Sequence, residues 1–135
     1  MRLNQVTVPS TDVAASVRFY RTLGLEQIVG GDSYARFMCP DGDASFSIDY
    51  VDEVGEGEAP VVYFECDDLD LVVRNLIGAG LVFESGPADQ RWLWREARIL
   101  DPGGNEICLY NAGENRLNPP WRLPAEDKSR NPSDQ

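Results

Sequence analysis

The chain has 135 residues, 42% of them hydrophobic, with 23 acidic against 12 basic side chains and a net charge of −11, which fits one compact acidic domain. That balance excludes the basic face that nucleic acid requires, and no apolar run approaches the ~18 residues that cross a bilayer. Histidine is absent and the sole lysine, Lys128, lies in a polar tail, so the commonest general base, the commonest metal ligand and Schiff-base chemistry are all missing.

The segment from Met1 to Gln5 leads straight into a strand pattern and predicts no signal peptide. Leu3 to Val8 alternates like a half-buried strand. Thr11 or Asp12 can cap a helix with an apolar stripe of Val13, Val17, Tyr20 and Leu23, closed by Gly24. Strands follow at Glu26–Val29, Ser33–Cys39 and Ala44–Val51. The acidic, Gly- and Pro-bearing stretch 52–60 reads as a linker.

The order then repeats. Val61–Cys66 is β-rich. Asp67 or Asp68 caps a helix carrying Leu69, Val72, Val73 and Leu76, ended by Gly78 and Gly80. Strands are expected at Leu81–Glu84, Trp92–Leu100 and Glu106–Tyr110, with a loop at Ser85–Arg91 and a turn at Asp101-Pro102-Gly103-Gly104-Asn105. Beyond Tyr110, the stretch Ala125–Gln135 has a disordered composition, and Trp121 is an apolar anchor for a local groove or a partner subunit. Cys39, Cys66 and Cys108 lack metal-site spacing and predict reduced thiols in a cytoplasmic protein.

The chain states one theme twice. Ala35-Arg36-Phe37-Met38-Cys39-Pro40-Asp41-Gly42 returns 62 positions later as Ala97-Arg98-Ile99-Leu100-Asp101-Pro102-Gly103-Gly104. Asp12-Val13, Gly24 and Leu25 return 56 positions later as Asp68-Leu69, Gly80 and Leu81. Two like units, 1–51 and 61–110, are expected to enclose a shared cavity with equivalent positions facing each other, followed by a tail at 111–135.

The repeated strand–helix–three-strand unit, with Asp12-Val13-Ala14-Ala15-Ser16-Val17-Arg18-Phe19-Tyr20 in the first copy and the Asp101–Asn105 turn in the second, resembles the vicinal oxygen chelate superfamily of glyoxalases, bleomycin-resistance proteins and extradiol dioxygenases. The resemblance runs from Met1 to about Tyr110. It implies an α+β fold in which two βαβββ units form a curled mixed sheet around a cavity, and a homodimer. Metal-using relatives take ligands from the first and last strand of each unit. Those positions fall on Gln5, Ser47, Val61 and Cys108, with Asp49 on the Ser47 face. An amide, a hydroxyl, an aliphatic group and a thiol make no recognised metal set, so no metal and no cofactor are expected.

Strand parity places Gln5 with Thr7, Val61 with Tyr63, and Cys108 with Glu106 and Tyr110 on inward faces, beside Trp92 and Trp94. A pocket of Gln5, Thr7, Ser47, Asp49, Tyr63, Trp92, Trp94 and Cys108 suits a small-molecule ligand. For the aromatic residues, core filling is an equal alternative, and Cys108 reads as a small buried hydrophobe. Two functions stay open: sequestration of an aromatic or cationic molecule, or a metal-independent isomerase, cyclase or lyase using Asp49 or Glu106 as general base. Every charged residue from Asp41 to Asp70 is acidic, which reads as a solvated face or as an attractor of cations.

Overall fold

The computed structural model describes residues 2–55 and 59–124. The first unit runs β1 (Gln5–Ser10), α1 (Val13–Leu23), β2 (Glu26–Gly30), β3 (Tyr34–Met38) and β4 (Ser45–Tyr50). The second runs β5 (Val61–Glu65), α2 (Leu69–Gly78), β6 (Ser85–Asp89), β7 (Arg95–Leu100) and β8 (Glu106–Asn111). Each unit is a four-stranded mixed sheet, ordered β1-β4-β3-β2 and β5-β8-β7-β6. The first and last strands of each unit pair in parallel and the others antiparallel. The class is α+β, as the repeat predicts. Among the described residues no helix is long and apolar enough to cross a membrane.

The helix signals act where they stand in the sequence. The Asp12 carboxylate accepts from the Ala15 amide at 3.0 Å, and Asp68 does the same for Leu71 at 3.3 Å. Gly24 takes the left-handed conformation, φ 113°, that ends α1. The acidic turn and linker at 52–55 and 59–60 carry no regular structure, and the tail 125–135 lies outside the described residues.

Three expectations shift. The strand expected at Leu81–Glu84 forms instead at Ser85–Asp89. Leu81 and Phe83 spend their apolar surface on the core as loop residues, while an edge strand tolerates Pro87 because one side of its backbone has no partner. The strand expected from Trp92 begins at Arg95. Arg91–Trp94 is the hairpin loop, closed by Leu93 N–H to the Gln90 carbonyl (3.0 Å) and Gln90 N–H to the Trp94 carbonyl (2.8 Å). Trp121 fills no groove of its own chain, being 57% exposed.

One core serves both units. Val8, Phe37, Phe46 and Ile48 of the first sheet meet Ile99, Ile107 and Leu109 of the second, with Tyr20 from α1 and Leu69, Val73 and Leu76 from α2. Tyr20 lies 4.5 Å from Phe46, ring to ring, and Phe46 lies 5.7 Å from Phe64 of the second unit. Side chains alternate across a strand, so this shared core takes one face of each sheet and turns the other face away.

A polar clasp joins the units at one end. The buried Tyr20 hydroxyl donates to Asp101 Oδ2 at 2.5 Å. Burial, then the Asp101 charge, push the Tyr20 phenol upward in pKa and keep it a donor. Asp101 also accepts from the Asn105 backbone at 2.7 Å and from its side chain at 2.8 Å. Asn105 Nδ2 reaches the Pro9 carbonyl at 2.9 Å. A side chain at Gly103 would bring a Cβ to 3.0 Å from that same carbonyl, so any larger residue there would crowd the clasp.

Candidate functional site

The outward faces carry the chemistry, in two equivalent rows. In the first unit Thr7, Ser47 and Arg36 are cross-strand neighbours on β1, β4 and β3. In the second, Tyr63, Cys108 and Arg98 hold the same places on β5, β8 and β7. The two arginines belong to the repeated Ala-Arg theme.

The first face is a network of uncharged hydrogen-bonding groups around one cation. Thr7 Oγ1 and Ser47 Oγ share a hydrogen bond of 2.6 Å, although Ser47 itself is fully buried. Gln5 Nε2 reaches Ser47 Oγ at 3.4 Å, and Gln5 Oε1 accepts from Ser45 Oγ at 2.8 Å. Arg36 Nε donates to Tyr34 Oη at 2.9 Å, with the guanidinium 5.5 Å from the ring centre. Hydrogen bonds with Ser47 and then Arg36 lower the Tyr34 phenol below its ordinary pKa, because both favour the phenolate. Asp49 stands opposite Tyr34 across the strands and is exposed, so it is not the carboxylate buried in an apolar pocket that the general-base reading expects.

The second face is aromatic and charged. Trp94 stacks on Tyr110 at 4.6 Å and 16°, and Tyr63 meets both edge-on at 6.0 and 5.7 Å. Trp94 Nε1 donates to the Asn115 carbonyl at 3.2 Å, anchoring the start of the tail. Beneath lies Glu96, 4% exposed. It accepts from Arg98 Nη2 at 3.1 Å, from Cys108 Sγ at 3.3 Å and from Trp92 Nε1. Arg98 Nη1 is 3.8 Å from Glu106, and its guanidinium is 5.7 Å from the Tyr63 ring centre. Burial, then Glu84, raise the Glu106 carboxyl above its usual range. Burial, then Glu96, push the Cys108 thiol up to about 12, so it is neither nucleophile nor ready thiolate ligand.

Of the residues expected to line one pocket, the structure places Gln5, Thr7 and Ser47 together on the first face and Tyr63, Trp94 and Cys108 on the second. The expectation that equivalent positions face each other across a cavity inside one chain is not met: both faces turn away from the shared core, and no hydrogen bond, ion pair or ring contact joins them among the described residues. Tyr34, Arg36, Glu96 and Arg98 were missed as site residues. The repeat carried their signal, since Ala-Arg at 35–36 and 97–98 places both arginines on equivalent strands with Tyr34 and Glu96 two residues before them.

A divalent metal does not fit the positions that relatives use for it. Gln5 and Ser47 are bonded to each other and to their neighbours, Val61 has no donor, and Cys108 is a protonated thiol. Among the described residues no three His, Cys, Asp or Glu side chains cluster as a ligand set.

A groove of about 640 Å³ lies between the units, lined by Leu23, Cys39, Pro40, Phe64, Cys66 and Val72 among others and reaching Tyr63 of the second face. It sits where the clasp would have its counterpart. Cys39 occupies the repeat position of Asp101, and Leu76 that of Tyr20, so neither the carboxylate nor the hydroxyl is repeated.

Together these features define a two-unit α+β protein with one shared core and two outward sheet faces. The chain belongs to the Glyoxalase/Bleomycin resistance protein/Dioxygenase superfamily, whose family model matches residues 2–109. Among solved structures it resembles a glyoxalase/bleomycin resistance protein/dioxygenase from Nocardioides, with TM-score 0.73 and 22% identity over 92% of this chain and 90% of that one. A lactoylglutathione lyase from Agrobacterium tumefaciens matches with TM-score 0.67 and 19% identity, covering 82% of this chain and 92% of that one. A bleomycin-binding protein complexed with bleomycin matches with TM-score 0.67 and 20% identity, covering 82% and 98%. Among curated proteins no sequence matches the chain.

Proposed function

We propose that the chain binds a small organic molecule without a metal, in a pocket assembled when the first-unit face of one copy meets the second-unit face of another in a homodimer. The observation that carries this reading is the aromatic cluster of Tyr63, Trp94 and Tyr110 over the buried Glu96 and its partner Arg98, on a face its own chain leaves partly open. Tyr63 is 46% exposed and Trp92 37%, unusual for aromatics that only fill a core. The likeness to a bleomycin-binding protein supports sequestration as the role, and the free Cys39, Cys66 and Cys108 suit a reducing cytoplasm.

Screening the full chain against a library of metabolites and drugs by thermal shift tests this, with chelator present throughout. A ligand at 100 times its Kd adds about 2.7 kcal/mol of stability. Binding that persists in chelator, quenches tryptophan fluorescence and accompanies a dimer by light scattering is the expected result. A ligand that binds only with added metal, or a strict monomer that binds fully, would sink the reading.

Glu96 favours a second reading, a metal-independent isomerase, cyclase or lyase. It is a carboxylate far better buried than Asp49 or Glu106, and it has a guanidinium beside it that could hold a developing enolate. A Glu96→Gln variant that keeps ligand affinity and abolishes turnover would support this reading.

A further inference from the structure

The two faces share a backbone plan and differ in how they treat the same arginine. In the second unit Arg98 meets two carboxylates of its own chain, Glu96 at 3.1 Å and Glu106 at 3.8 Å. Those two positions in the first unit are Tyr34 and Ser45, and neither carries a charge. Tyr34 takes only the Nε hydrogen of Arg36. The Nη groups of Arg36 have no hydrogen bond and no ion pair among the described residues. Arg36 is half-buried, with its Nε held by the Tyr34 hydroxyl at 2.9 Å and its guanidinium 5.5 Å from the ring centre. The hydroxyls of Thr7 and Ser47 lie in the next columns of the same row.

An arginine whose fork is oriented, partly desolvated and unpaired is a receptor for a planar oxyanion, which it binds through two parallel charge-assisted hydrogen bonds. The sign is informative in a chain of net charge −11, where a carboxylate to neutralise Arg36 would be easy to supply. Asp49 faces Tyr34 across the strands and forms no ion pair with Arg36.

We propose that the first-unit face is a carboxylate-binding subsite, in which the Nη edge of Arg36, supported by Tyr34, Ser47 and Thr7, receives the carboxylate of a small organic acid. The ligand supplies to Arg36 what Glu96 and Glu106 supply to Arg98. This rests on the pocket reading above and narrows its ligand class to molecules with an aromatic or apolar body for the Tyr63–Trp94–Tyr110 face and a carboxylate for the Arg36 face.

The test uses the full chain with 3-phenylpropionate and 3-phenylpropionamide, followed by calorimetry and by tryptophan fluorescence. The acid is expected to bind at least about tenfold more tightly than the amide, the equivalent of one charge-assisted contact. Arg36→Met is expected to abolish the preference, and Arg36→Lys to retain part of it. Equal binding of acid and amide to the unsubstituted protein overturns the inference whatever the variants do, so it does not depend on their folding. If both bind equally and quench tryptophan fluorescence, the pocket stands and the carboxylate subsite falls. If the acid binds through Arg36 with no change in fluorescence, the subsite stands and the composite pocket falls. Binding of neither probe at millimolar concentration overturns both.

Discussion

The two units are copies in backbone and opposites in chemistry. The first presents amide, hydroxyls and an arginine without a carboxylate; the second presents aromatic rings and an arginine paired with glutamates of its own chain. The same asymmetry marks their junction. Asp101 and Asn105 clasp Tyr20 and Pro9, whereas the positions equivalent to Asp101 and Tyr20 hold Cys39, on the wall of an open groove, and Leu76, in the core. A duplicated fold needs its core and caps in both halves, but it needs each polar contact only once. The spare copies of those positions are then free to serve a ligand.

The largest effect is expected at the clasp. Asp101→Ala leaves the Tyr20 hydroxyl and both Asn105 donors without their buried acceptor, at a cost of about 3 kcal/mol or more, since each orphaned buried group costs roughly 1–3 kcal/mol. Cys39→Ala, at the equivalent position, should cost well under half of that. Urea denaturation of the two variants makes the comparison, and equal losses would show that the clasp is not one-sided.

A smaller contrast is expected between the arginines. Arg98→Met leaves the buried Glu96 charge short of its partner and should destabilise by about 1–3 kcal/mol, below the figure for a fully buried pair because Arg98 is 30% exposed. Arg36→Met breaks no ion pair and should leave the unfolding midpoint close to that of the parent while removing carboxylate preference. If Arg36→Met proves the more destabilising, the assignment of a structural role to one arginine and a binding role to the other is wrong.

The smallest effect concerns Glu106, whose carboxyl is raised by burial and then by Glu84. The folded chain holds a proton there that the unfolded chain has already released. This contribution is therefore full below the ordinary carboxylate range and is lost as pH rises through the raised value. Stability should fall on that rise, and Glu84→Gln should flatten the slope. An unchanged slope in denaturation titrations across the mildly acidic range would leave burial as the cause and remove Glu84's contribution.

Much of the fold was legible in the chain because its signals are local. Asp12, Asp68 and Gly24 act on their own helix ends, and the repeat registers one unit on the other. Parity likewise gathered Gln5 with Thr7 and Tyr63 with Val61, since alternation belongs to the strand itself. The displaced strand at Ser85–Asp89 and the Trp92–Trp94 hairpin were not legible, because Leu81, Phe83 and the tryptophans were placed by what they pack against.

By itself, the sequence determined that there are two units, where their helices start and stop, and which strand residues share a face. These follow from short-range geometry and hydrogen bonding. Only the tertiary structure decided which faces the common core would take, that Glu96 is buried against Arg98, and that Arg36 is left with no carboxylate. Those outcomes depend on which side chains meet across strands distant in sequence, and a charge becomes structural or available only when its surroundings are complete.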